Sequence, residues 1–216
     1  MDKKTENQES MVFSYLELRK VLGILGTSLP FILYVGGLII FNTRLQGSIS
    51  SYYHTDMRDV LVGMLFAMGF FLLSYKGYEK SDNLAGDLGF VFALGVALFP
   101  TTPQEAGGSS FIGYLHMAFT VLFFSTLIYF SLFLFTKTDP EKSPTPRKLQ
   151  RNKVYRVCGI TMSVCILLIA VYVFLPEKLE EILRPYKIVF WLETAAIWAF
   201  GISWLVKGET LLRDKG

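Results

Sequence analysis

Residues 111–136 read FIGYLHMAFTVLFFSTLIYFSLFLFT, 26 positions with one histidine and no Lys, Arg, Asp or Glu. About 20 helical residues cross a hydrocarbon core. Backbone groups in lipid must be satisfied within their own segment, so this run reads as a transmembrane helix. It does not alternate polar and apolar residues, as a membrane β-strand would. Similar runs stand on both sides, and the spans are placed at 21–41, 60–78, 84–100, 111–136, 154–175 and 186–206. The whole chain of 216 residues is 52% hydrophobic and 18% charged, with a mean hydropathy of +0.42. Soluble domains carry roughly 25% charged residues. The expected fold is an all-α, polytopic bundle of six spans.

Charge placement orients that bundle. Lys137, Lys142, Arg147, Lys148, Arg151, Lys153 and Arg156 crowd the connection after span four, whereas Thr101–Ser110 has no Lys or Arg. Positive loops stay inside, so the fourth connection is expected in the cytoplasm and the third outside. Both termini then lie in the cytoplasm, residues 1–20 as a leading segment and 207–216 as a tail. The net charge of +3 follows from these anchors and needs no nucleic acid; contact with anionic lipid fits it. The first apolar run is too long for a cleavable signal. Residues 1–10 read as polar and irregular, Met11–Lys20 as a helix on the inner surface, and the proline-rich stretch 139–146 as a linker. Cys158 and Cys165, seven apart on one helix, are too distant for a disulfide and read as packing residues.

Small residues mark helix contacts. Ala85, Gly89, Ala93 and Ala97 recur every four positions, and Gly63 with Ala67 repeats the pattern in span two. Pro30 and Gly36–Gly37 predict a loosened first span. Phe119, Phe123, Phe124, Phe130, Phe133 and Phe135 read as lipid-facing and core bulk. Trp191 and Trp204 read as anchors at the outer and inner interfaces. Glu79, Asp82 and Asp87 read as caps or ion-pair partners at the start of span three.

The chemistry-bearing residues gather in 48–59, SISSYYHTDMRD, within a connection longer than the roughly 2–8 residues usual in bundles. As a short helix this stretch would align Ser50, His54 and Arg58 on one face, with Ser51, Thr55 and Asp59 beside them. Tyr52 and Tyr53 suit an interface. Deeper in the same leaflet come His116, roughly 8 Å into its span, and Glu193, roughly 10 Å into the last. Ionisable groups at such depth face the bundle interior and mark candidate sites. Two chemical schemes fit. In one, His54, His116 and Asp59 or Glu193 hold a zinc-like ion that activates water. In the other, a histidine paired with Asp59 or Glu193 acts as general base, with Ser50 or Ser51 as nucleophile. Arg58 would hold an anionic headgroup or an oxyanion, Ser50, Ser51 and Tyr53 would join it in binding, and 101–110 would cover the site. The same residues also read as an interfacial helix, a cap on span two and a buried pair that fixes packing. H-E-x-x-H, G-x-S-x-G, P-loop and dinucleotide patterns are all absent.

The stretch SYYHTDMRDVLVG at 51–63, followed by GVALFPT at 95–101, resembles a bacterial family of small uncharacterised multispan membrane proteins. The resemblance implies a six- or seven-helix fold in the bacterial inner membrane and no particular activity. A weaker, partial resemblance is to the superfamily of alkaline ceramidases and progestin/adipoQ receptors. It implies a zinc-dependent hydrolase in which Ser50 and His54 match the first element of the metal site. Asp59 stands closer to that histidine than the pattern has it, and the last span carries Glu193 where the pattern has histidines. The expected function is an outer polar site that binds, and hydrolyses, a lipid or lipid-like amide or ester. The alternatives are a non-enzymatic lipid or small-molecule sensor or accessory protein, and a proton-coupled transporter.

Overall fold

No glycine or proline interrupts the chain from Lys3 to Leu22, and one helix, α1, runs unbroken over Lys3–Phe31. A computed structural model describes residues 3–77, 79–103, 110–138 and 143–213, with side chains from Tyr15 onward. Helix therefore replaces the irregular segment expected before residue 11, and Met11–Lys20 continues the first span instead of forming a separate surface helix. Just after Pro30 the helix widens to π geometry over Ile32–Gly36 and then resumes as α2, Gly37–Phe41. Pro30 removes one ladder donor just before this π turn. Asn42 ends α2 in the left-handed region at φ 53°.

The remaining helices are α3 (Arg58–Leu73), α4 (Lys80–Leu98), α5 (Phe111–Tyr129), α6 (Pro146–Val173), α7 (Glu177–Leu183) and α8 (Ile188–Lys207). A π turn over Phe130–Leu134 extends α5. Their starts are written in the sequence. Glu79 and Asp82 form a reciprocal capping box on α4. The Ser110 and Thr145 hydroxyls accept the Gly113 and Lys148 N–H groups at 3.0 and 3.1 Å, and Pro146 follows Thr145 at the first turn of α6. Asp82 also accepts from Lys137 Nζ at 2.6 Å, as the reading of these acids as caps or pair partners expected. That hydrogen bond holds the Lys137 ammonium above its ordinary range. Its contribution is therefore present at neutral pH and fades only as pH rises through the raised value.

Five described helical segments are long and apolar enough to cross a bilayer: Tyr15–Phe41, Lys80–Leu98, Phe111–Leu134, Pro146–Val173 and Ile188–Lys207. The chain is thus a multi-pass membrane protein by the length and composition of its helices. The helix at the second expected span, α3, has 16 residues. It is about 24 Å long, against a hydrocarbon core of roughly 30 Å. The linker expected at 139–146 lies outside the described residues up to 142.

Six helices close into a ring, each packed on the next in the order α1, α3, α4, α5, α6, α8 and back to α1. Ala85, Gly89, Ala93 and Ala97 are all buried, with Gly89 against Leu72 of α3. Gly63, by contrast, faces outward with open space around it. One close crossing joins α1 to α8. A Cβ on Gly201 would stand 2.7 Å from the Thr27 nitrogen and 2.8 Å from the Gly23 carbonyl oxygen. Backbone meets backbone there, so only glycine fits. Trp204 is 2% exposed and is no interface anchor. Phe135, Phe130 and Tyr75 surround it with ring centroids at 5.0, 5.4 and 5.7 Å. Cys158 and Cys165 are buried free thiols.

Gly201→Val is expected to lower stability by about 1–3 kcal/mol, because added carbons have nowhere to go at a packed contact. Gly63→Ala is expected to leave stability unchanged or raise it by up to about 1 kcal/mol, the helix-propensity difference. Unfolding in detergent followed by circular dichroism checks both; equal losses at the two positions would contradict the α1–α8 contact.

Candidate functional site: a loop clasped onto the bundle

The connection between α2 and α3 folds back over one end of the ring. Residues Ser50–His54 form a 3₁₀ turn, not an α-helix. With three residues per turn, Ser50 no longer aligns with His54 and Arg58. Local hydroxyls build the turn. Ser48 Oγ accepts the Ser51 N–H at 2.9 Å and lies 2.7 Å from Ser51 Oγ. Thr55 Oγ1 donates to the Tyr52 carbonyl at 2.8 Å and accepts the Met57 N–H at 3.2 Å. Tyr52 is fully buried, its ring 6.4 Å from that of Phe190.

Two residues of α8 grip this loop from below. The Phe190 N–H donates to the Gly47 carbonyl at 3.0 Å. One turn on, Glu193 Oε2 accepts the Ile49 N–H at 2.5 Å, and Oε1 accepts from Ser50 Oγ at 3.4 Å. Glu193 is 8% exposed. A buried carboxylate needs partners of its own, and here the loop backbone supplies the nearer one.

Both histidines reach a second loop, and each does so alone. His54 Nε2–H donates to the Thr101 carbonyl and His116 Nδ1–H to the Phe99 carbonyl, each at 2.7 Å. A carbonyl only accepts, so it fixes which ring nitrogen carries the proton. His54 is exposed and His116 buried. The strap 99–101 is thereby held between the 3₁₀ turn and α5. Arg58 turns to Tyr53: its Nη2 lies 3.1 Å from the phenol oxygen and its guanidinium carbon 4.7 Å from the ring centroid. Asp59 is exposed in the first turn of α3, where a carboxylate favours the helix N-terminus.

The expected constellation therefore separates into parts. Glu193 meets Ser50 and Ile49, whereas His54 and His116 meet backbone carbonyls, Arg58 meets Tyr53, and Ser51 meets Ser48. The set His54, His116 and Asp59 is not assembled as a metal site. Among the described residues no three His, Cys, Asp or Glu side chains stand together so as to hold a metal ion. The cover expected from 101–110 lies outside the described residues over 104–109; at its edges Thr102 Oγ1 accepts the Ser110 N–H at 3.4 Å.

Sequence reasoning missed the other half of the clasp. Gly47, Ile49, Phe99 and Thr101 act through backbone atoms, which carry no residue signature. It also missed Thr120. Beneath the loop an apolar cavity of about 40 Å³ sits inside the ring, lined by Leu61, Leu65, Phe123, Ile197 and others, with Ile49 on its loop side. Its polar lining residues are Glu193 and Thr120, and the buried Thr120 hydroxyl has no hydrogen-bond partner.

Replacing Glu193 with Leu strips the Ile49 N–H of its acceptor, a loss of about 1–3 kcal/mol. Amide hydrogen exchange over 47–52 is expected to quicken by roughly tenfold or more, while Glu193→Gln, which keeps one acceptor oxygen, changes it less. Unaltered exchange in Glu193→Leu would show that the loop is held by other means. No protein-family model, curated protein or solved structure matches this chain.

Proposed function

We propose that this chain is a membrane-embedded binding protein for a small lipid-like or apolar molecule, seated in the ring beneath the 43–57 loop. One observation carries the reading: an apolar cavity of about 40 Å³ inside the ring, with Glu193 and Thr120 among its lining residues and the Thr120 hydroxyl unpartnered. Mostly apolar pockets with a few placed polar groups are the usual form of small-molecule sites. The volume exceeds the roughly 10–15 Å³ that a single water requires. A ligand with an alkyl body suits this lining, because the surface it presents is apolar. A longer molecule enters when the loop lifts, since Ile49 and Glu193 belong to both the cover and the cavity. The role that follows is that of a lipid or small-molecule sensor or accessory protein.

Hydrolysis has less support. Each imidazole is engaged by a backbone carbonyl, and the Ser50–Glu193 contact at 3.4 Å is the one hydroxyl–carboxylate pair among the expected site residues. The topology that accompanies this reading has α3 as a sixth crossing element, packed between α1 and α4. Both termini lie on the cytoplasmic side of a bacterial inner membrane, because the basic residues gather at that end of α1, α6 and α8.

A diazirine-bearing alkyl alcohol tests the site in detergent-purified protein. Photolabelling is expected at cavity residues such as Leu65, Phe123 or Ile197. Leu65→Phe, which fills the space, is expected to cut it by about tenfold, the equivalent of 1.4 kcal/mol. Labels confined to the outward residues Val91, Val121 and Leu167, and insensitive to Leu65→Phe, would reject the reading.

A further inference from the structure

The opposite end of the ring presents a different imbalance. There α1, α6 and α8 bring basic side chains to the edge of the aromatic cluster around Trp204. Lys207 ends α8 with its Nζ 5.2 Å from the Phe135 ring centroid. Lys148 Nζ donates to the Phe135 carbonyl at 2.8 Å. Both ammoniums therefore meet at one residue. Arg19 joins them because the chain after Lys207 presses onto α1: a Cβ on Gly208 would stand 2.9 Å from the Lys20 nitrogen and 3.2 Å from the Arg19 carbonyl carbon. The Arg19 guanidinium lies 4.3 Å over the Tyr15 ring and 5.8 Å from the Tyr75 ring. Its buried Nε has no hydrogen-bond partner. Arg19, Lys148 and Arg151 all lie within electrostatic range of Lys207, as does one acid, Asp82, whose carboxylate already accepts from Lys137.

Most acids at this end are already engaged, and Asp87 on α4 is exposed to solvent. Glu17 pairs with Lys20 at 2.9 Å, Glu79 and Asp82 pair with Lys137 at 3.3 and 2.6 Å, and Glu209 pairs with Arg151 at 3.6 Å. Among the described residues, Arg19, Lys148 and Lys207 have no carboxylate within ion-pair distance. Lys80, Lys153 and Arg156 are exposed cations that water can solvate; Arg19, Lys148 and Lys207 are half-buried. Like charges held together away from water repel strongly and call for an anion to offset them.

We infer that Arg19, Lys148 and Lys207 form a binding site for a phosphate group. A phosphate presents several acceptor oxygens to a planar guanidinium and two ammoniums at once. The site lies at the mouth of apolar helices, where the headgroup of an anionic phospholipid stands. A soluble phosphate compound would meet the same three cations. The inference is independent of the cavity at the other end, and it assigns this end an anion that the chain's described acids do not supply.

The test uses the full chain in nanodiscs of phosphatidylcholine with or without phosphatidylglycerol. Native mass spectrometry counts retained lipid, and thermal unfolding is followed with and without millimolar inorganic phosphate. Wild-type protein is expected to retain phosphatidylglycerol selectively. Lys207→Gln and Arg19→Gln are each expected to weaken retention about tenfold, as the loss of a charge-assisted contact does. Lys153→Gln, an exposed cation on α6, is expected to leave it unchanged. Variants are scored only at wild-type helicity, and Lys148→Gln supplies the readout if Lys207→Gln does not fold. Stabilisation by phosphatidylglycerol but not by inorganic phosphate identifies a lipid headgroup; stabilisation by inorganic phosphate alone identifies a soluble phosphate compound. Unselective retention together with no stabilisation by inorganic phosphate overturns the inference, as does an effect of either ligand that these variants leave unchanged or that Lys153→Gln weakens as much.

Discussion

The Glu193 carboxylate stands in an interior made of leucine, phenylalanine and isoleucine, where a charge without partners is costly. Its nearest partner is the Ile49 N–H, from a loop more than 140 positions away in the chain. Phe190, one turn earlier on the same helix, holds the Gly47 carbonyl. These contacts draw the whole α2–α3 connection down onto the ring. Tyr52 is buried as a result, and Ile49 becomes the cover of the internal cavity. Loop, cavity and last helix are thus parts of one arrangement.

The two ends of the ring solve opposite electrostatic problems. At the loop end the backbone satisfies the ionisable groups that hold the loop and the strap: two imidazoles donate to carbonyls of one strap, and a carboxylate accepts from the Ile49 N–H at the start of the 3₁₀ turn. That end is held by directional contacts at 2.5–2.7 Å. At the other end cations outnumber the acids that face them, and aromatic rings fill the space between helices. The Trp204 cluster seals the interior there, so the apolar cavity and the basic cluster are separated by packed rings.

Much of the fold is legible in the chain because lipid allows few alternatives. Apolar runs that must satisfy their own backbone become helices, and capping residues such as Ser110, Thr145 and Glu79 mark their starts. The Ala85–Ala97 stripe is read correctly because small residues at four-residue spacing let another helix approach. The same rule fails for Gly63, which faces outward, since spacing shows that a close contact is allowed and not that a neighbour is present. Trp204 misleads for a similar reason: position near a helix end suggests an interface, while Tyr75, Phe130 and Phe135 enclose it. Within the candidate site, Glu193 and the 48–54 segment were identifiable by residue type. Their pairing was legible only in part, because the decisive partners are backbone groups that every residue carries.

The sequence by itself determined an all-helical membrane protein, the locations of its long apolar helices, the basic end of the bundle, and which ionisable side chains stand within or beside those helices. Tertiary structure alone decided that Glu193 holds a loop, that His54 and His116 serve one strap instead of one metal, and that a cavity lies beneath Ile49. Hydrophobic runs and caps act over a few neighbouring residues, so they can be read along the chain. Partner choice for a buried charge depends on which distant backbone arrives within about 3 Å, and that distance exists only once the ring has closed.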